Sequence, residues 1–182
     1  MTKKSYFVIT GAMGAGKSTI LNVLKDRGFI CIDEPAREIL KEQRSISGNG
    51  VPEKNPELFN ELMLSRMIFQ FNQHSNIEET VFFDRGMADI IAYSKLLNTS
   101  QGRAVNASVE YRYNKHVFFL PGWEGIYCKD EERKVDFEVA NSFGNNIRDI
   151  YQELGYIISD VPLISVEERA EHIIYAVKKL IV

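Results

Sequence analysis

Gly11-Ala12-Met13-Gly14-Ala15-Gly16-Lys17-Ser18 fits the spacing Gly-x-x-x-x-Gly-Lys-Ser/Thr at every fixed position. A short apolar run, Tyr6 to Thr10, precedes it. After it, Ile20, Leu21, Val23 and Leu24 form a helical stripe that Gly28 is placed to stop. Strand, glycine loop and helix in that order make an anion site. Glycine lets the backbone turn tightly and aim successive N–H groups inward, and the helix adds its positive end. Without an anion, Lys17 would put a cation where the helix dipole disfavours one. Residues 11 to 19 therefore read as a phosphate loop for ATP or another nucleoside triphosphate. In it Lys17 reaches the β- and γ-phosphates, Ser18 sits on Mg²⁺, and Thr19 contacts the α-phosphate.

Four more β-rich runs follow: Phe29 to Asp33, Val81 to Asp84, His116 to Leu120 and Tyr156 to Ser159. Helix-period segments separate them. Asn55-Pro56-Glu57 starts one helix as cap, first-position proline and first-turn acid. Leu58, Phe59, Leu62, Met63, Met67 and Phe69 then supply its buried face. Ala140, Phe143, Ile147, Ile150, Tyr151 and Leu154 mark a second helix, and Ala170, Ile173, Ile174, Val177 and Leu180 the last. Alternating strands and helices predict an α/β fold, with a five-stranded, mostly parallel sheet buried on both faces. Ligands then gather at the carboxyl ends of the strands. The chain has 182 residues, 45% hydrophobic, with a net charge of -3, which suits one domain with no disulfide or metal staple. No basic stripe marks a nucleic-acid surface, and no apolar run is long enough for a membrane span. Cys31 and Cys128 lie far apart and read as reduced, buried or half-buried thiols. His74, His116 and His172 are scattered. A cytoplasmic protein is expected.

The second run closes on Asp33-Glu34-Pro35-Ala36-Arg37. With Pro35 at a first helical position, Glu34 is either a plain N-cap acid or a carboxylate that orients or deprotonates an attacking hydroxyl. Arg37 would steer a substrate anion or pair with Glu34. The third run closes on Asp84-Arg85-Gly86, an apolar strand ending in a metal-holding carboxylate. Arg85 stands where motor-type ATPases place a water-activating Glu, which suits holding a phosphoryl group better than priming water. Asp89 reads equally as a substrate contact or as a solvated helix acid.

Together Gly11 to Ser18, Glu34 to Arg37, Asp84 to Gly86, and Trp123 with Tyr127 to Arg133 resemble the NadR-like AAA-type P-loop domain, which includes ribosylnicotinamide kinase. The pattern is similar, more distantly, to deoxynucleoside and thymidylate kinases. The resemblance implies a three-layer, nucleoside/nucleotide kinase-like P-loop fold over residues 1–182, with a lid at about 121–134. It implies that Lys17, Glu34, Asp84, Arg85 and Arg133 are catalytic and that Ser18 and Asp84 hold Mg²⁺. Gln70, beside Phe69, resembles a base-reading position. The lid departs from the pattern in arginine content, with Lys129 and Lys134 beside Arg133. Trp123 and Tyr127 read either as a base-stacking pair or as an apolar anchor for that lid.

Two functions stay open. One is an ATP-dependent kinase acting on a small, hydroxyl-bearing, nucleoside-like acceptor. The other is an NTP-binding or hydrolysing switch that works through a protein partner. The GTPase base-reading motif is missing: Asn114-Lys115-His116-Val117 lacks its Asp and lies before the strand.

Overall fold

The computed structural model describes residues 5–128 and 135–181. Arg133 and the lysines beside it lie outside them. Five strands form the sheet: β1 (Tyr6–Gly11), β2 (Ile30–Ile32), β3 (Val81–Asp84), β4 (His116–Leu120) and β5 (Ile157–Asp160), in spatial order β2-β3-β1-β4-β5. All four pairings are parallel, so the expected three-layer architecture is found. Ile9 lies opposite Asp84 and Gly11 opposite Leu120. That register brings the phosphate loop, the β3 carboxylate and the segment after β4 to one edge.

Both faces of the sheet are covered. Tyr6, Val8, Phe83, Val117 and Phe119 pack on α3 (Pro56–Gln73), α4 (Met87–Leu96) and α6 (Phe137–Glu153). Phe7, Ile9, Phe82, Phe118 and Leu120 pack on α1 (Lys17–Asp26) and α7 (Val166–Ile181). Neighbouring residues of one strand thus enter opposite cores, which is why the strands read as unbroken apolar runs. Around the sheet, α2 (Ala36–Ser45) and α5 (Gly102–Glu110) complete the helices. No helix among the described residues is long and apolar enough to cross a membrane.

Local signals acted where expected. The Asn55 side chain accepts from the Leu58 amide at 3.0 Å, capping α3. Gly28 takes φ 86 and donates to Lys25 O, ending α1. Other expectations are corrected. Phe69 does not join the buried face of α3: it is 60% exposed, while Met67 and Phe71 carry the core. Helix α2 starts at Ala36, one residue later than expected, with Pro35 already helical at φ -77. Cys128 is exposed. Cys31 is half-buried, and burial pushes its thiol up to about 12, so it stays protonated.

Candidate active site

The phosphate loop turns through left-handed backbone at Gly14 (φ 74) and Gly16 (φ 86), and Gly16 leads directly into α1. These conformations need glycine, and they free the loop to curve around an anion. Gly11 has a different task. A Cβ there would lie 2.0 Å from Leu120 O, so glycine allows β4 to close on the loop. Not every loop residue faces outward. Met13, Gly14, Gly16, Lys17, Ser18 and Thr19 line a cleft of about 860 Å³, whereas Gly11, Ala12 and Ala15 do not. The Ala12 amide donates to Leu120 O, and the Ala15 amide to Ala12 O.

Lys17 is buried, and its ammonium donates to Ala12 O at 2.9 Å and Gly11 O at 3.5 Å. Burial lowers its pKa to about 8; the nearby Arg85 cation adds to that fall, and the Asp84 and Glu34 carboxylates oppose it. Asp84 is buried at the end of β3. Desolvation raises its carboxyl to about 6 against the pull of Lys17. Its Oδ1 is buried with no hydrogen-bond partner. A buried acceptor left open on a cleft that an exposed serine hydroxyl also lines suits a hard cation. Among the described residues no three His, Cys, Asp or Glu side chains cluster as a metal site. Ser18 and Asp84 are the residues of this cleft that would hold Mg²⁺.

A wall of Glu34, Arg85 and Tyr93 lines the same cleft. Glu34 does not cap α2. It lies 3.0 Å from Arg85 Nε, an ion pair outside hydrogen-bond angles, and accepts from the Tyr93 hydroxyl at 3.2 Å. Arg85 holds a left-handed backbone (φ 68) and is 4% exposed. Its Nη1 donates to Asp89 Oδ1 at 2.9 Å, and its guanidinium lies 5.4 Å from the Tyr93 ring centre. Arg37 and Glu38 form the rim of this wall.

Two substrate expectations are corrected. Asp89 is fully buried, off the cleft, and its oxygens are taken by Thr10, Arg85, Gly86 and Tyr151. Gln70 also lies off the cleft, donating to Asp33 O at 3.3 Å. Trp123 lines the cleft, while Tyr127 anchors its surroundings: its hydroxyl donates to Val135 O at 2.6 Å and its ring meets Phe137.

Sequence reading missed Tyr93 and Arg169. Tyr93 lies in α4, where seven residues are buried, so no polar face marks the helix. Arg169 is 2% exposed, lines the cleft, and donates from Nη2 to Ala15 O at 3.0 Å. It stands 5.6 Å from the Trp123 ring centre. Nothing local distinguishes it from the solvated acids and bases around it on α7.

Residues 6–169 match a family model described as an AAA domain. A curated nucleotide-binding protein of Fervidobacterium nodosum is 44% identical over 48 residues, 26% of this chain and 17% of that protein's length. Among solved structures, deoxyadenosine kinase from M. mycoides, with the products dCMP and dCDP bound, superposes with a TM-score of 0.63 at 19% identity. That match covers 96% of this chain and 99% of the kinase. NadR in complex with NR gives a TM-score of 0.69 at 16% identity, covering 97% of this chain and 50% of that one. The family model spans residues 6–169 of the 182, and the fold is shared with these kinase structures; the chain belongs to the AAA domain family.

Proposed function

We propose that this chain binds ATP with Mg²⁺ and transfers the γ-phosphoryl group to a small, hydroxyl-bearing, nucleoside-like acceptor. The observation that carries this reading is the pairing, across one cleft, of a phosphate loop with a wall of Glu34, Arg85 and Tyr93. Phosphoryl transfer asks for alignment and charge neutralisation, and these residues are suited to both.

Loop amides and Lys17 bind the phosphate tail. Ser18 and Asp84 would hold Mg²⁺, which when bound neutralises charge on the phosphate oxygens. Glu34 accepts the proton of the acceptor hydroxyl, oriented by Tyr93 and Arg85. The acceptor oxygen bonds to the γ-phosphorus as the bond to the β–γ bridging oxygen breaks, and ADP leaves. Arg85, beside Asp84, stabilises charge on the group in transit. Arg37 on the rim steers the acceptor. The chain is one domain, and the segment that follows β4 serves as a lid, to which Trp123 contributes a cleft-facing ring.

The test measures ADP release from ATP·Mg²⁺ over a panel of nucleosides and vitamins. One acceptor should raise release about tenfold or more. Lys17→Ala should weaken ATP binding about a hundredfold, the loss of a charge-assisted, buried contact to phosphate. Release that no acceptor changes would overturn the kinase reading in favour of a hydrolytic switch. ATP affinity retained in Lys17→Ala would overturn nucleotide binding by this loop.

A further inference from the structure

Asp89 organises the wall of Glu34, Arg85 and Tyr93 from behind. It is the third residue of α4 and 0% exposed. Four donors from three parts of the chain meet its carboxylate. Oδ1 accepts from Thr10 Oγ1 at 2.5 Å and Arg85 Nη1 at 2.9 Å. Oδ2 accepts from the Gly86 amide at 2.9 Å and the Tyr151 hydroxyl at 2.7 Å. A carboxylate has about four acceptor positions, so none is left for a ligand. Burying a charge is costly unless it is paired and hydrogen-bonded, and the paired charge here is Arg85.

Arg85 is held from two sides. Glu34 stands at its Nε and Asp89 at its Nη1. A guanidinium is planar and rigid, so fixing one edge fixes the direction of the other. Its backbone at φ 68 is also one that non-glycine residues seldom adopt. The Asp89 contacts to Gly86 N and Arg85 Nη1 bracket that residue.

We infer that Asp89 is a positioning residue: it holds the Arg85 guanidinium in the orientation that sets Glu34 against the acceptor, and touches neither substrate itself. The inference rests on the kinase reading. Asp89→Asn keeps shape but removes the charge. Whichever way the amide turns, its NH₂ faces an N–H donor, from Arg85 or from Gly86. A plain capping or core role would cost the same whether or not Arg85 is present.

A double-mutant cycle on the full chain separates these roles. Asp89→Asn should lower acceptor-dependent kcat about 10- to 100-fold while changing the Kd for ATP·Mg²⁺ less than about threefold. In an Arg85→Gln background the same change should cost less than about twofold. Equal losses in both backgrounds would overturn the inference. Tyr151→Phe keeps the charge and removes one hydrogen bond from the far oxygen, so it serves if Asp89→Asn folds poorly. It should lower kcat about threefold, and only when Arg85 is present. The ¹⁵N resonance of Arg85 Nε–H, assigned by its loss in Arg85→Gln, gives a readout without turnover. It should move in Asp89→Asn and in Tyr151→Phe, and an unmoved signal would refute the hold on Arg85. A parent chain with no acceptor-dependent release, yet with that signal moving, would sink the kinase reading and leave the Asp89–Arg85 coupling standing.

Discussion

Asp84 and Lys17 show what burial does to charges that must meet a ligand. Desolvation raises Asp84 to about 6 and lowers Lys17 to about 8. An unfolded chain releases the Asp84 proton near its ordinary value of 3.8. Between 3.8 and about 6 the folded, nucleotide-free protein therefore holds a proton that the unfolded chain has lost. This residue's contribution to stability falls as pH rises through that window and is flat above it. Asp84→Asn lacks the titration. Its stability relative to the parent should rise by about 1–3 kcal/mol between about pH 4 and about pH 7, since each tenfold change in proton affinity is worth about 1.4 kcal/mol. Urea unfolding at the two pH values checks this. A difference that stays constant, or that moves the other way, would show that Asp84 is not desolvated. The motif spacing announced both residues, but their shifted titration comes first from the burial that tertiary packing imposes on them.

At the scale of elements, α6 is the part of the site least visible in advance. Its apolar spacing marked a helix, and Ala140, Phe143, Ile147 and Ile150 are buried. What the spacing did not show is how closely the helix approaches the phosphate loop. A Cβ on Gly144 would stand 2.9 Å from both Ala12 Cα and Ala12 Cβ. Gly144→Ala should force α6 and the loop apart. The expected cost is about 1–3 kcal/mol of stability, as for other overpacked cores, together with weaker ATP binding. Thermal melting and calorimetric titration would reveal both, and parent-like values would show that the contact gives way freely. Helix α4 is the reverse case: with seven buried residues it has no polar face, so periodicity could not expose Tyr93 or decide the role of Asp89. For Phe69 the spacing misled, because an exposed apolar residue can share the register of a core face.

For the whole molecule, the cleft joins segments from both halves of the chain, from Met13 to Arg169. A ligand that occupies it bridges α1, the wall of Glu34, Arg85 and Tyr93, and the start of α7, so binding and global stability should be linked. At about a hundred times its Kd, ATP·Mg²⁺ should add about 2.7 kcal/mol and raise Tm by about 5–10 °C. The chain has one tryptophan, and Trp123 lines this cleft near Arg169. Its fluorescence should follow the same binding curve. A Tm that ATP·Mg²⁺ does not move would argue against a site of this kind.

The phosphate loop, the parallel sheet and the place of the cleft at the carboxyl ends of the strands were legible from local signals. Glycine spacing, apolar runs and caps act over a few residues, and tertiary packing did not override them. Glu34 and Arg85 were visible as candidates, but not as partners, because they belong to different strand ends. Only tertiary structure withdrew Asp89 and Gln70 from the cleft and brought Tyr93 and Arg169 to it. The physical reason is that side-chain burial and charge pairing depend on which elements meet across the sheet. That is set by distant contacts, such as Tyr151 on Asp89 and Arg169 on Ala15, which leave no periodic trace in the chain.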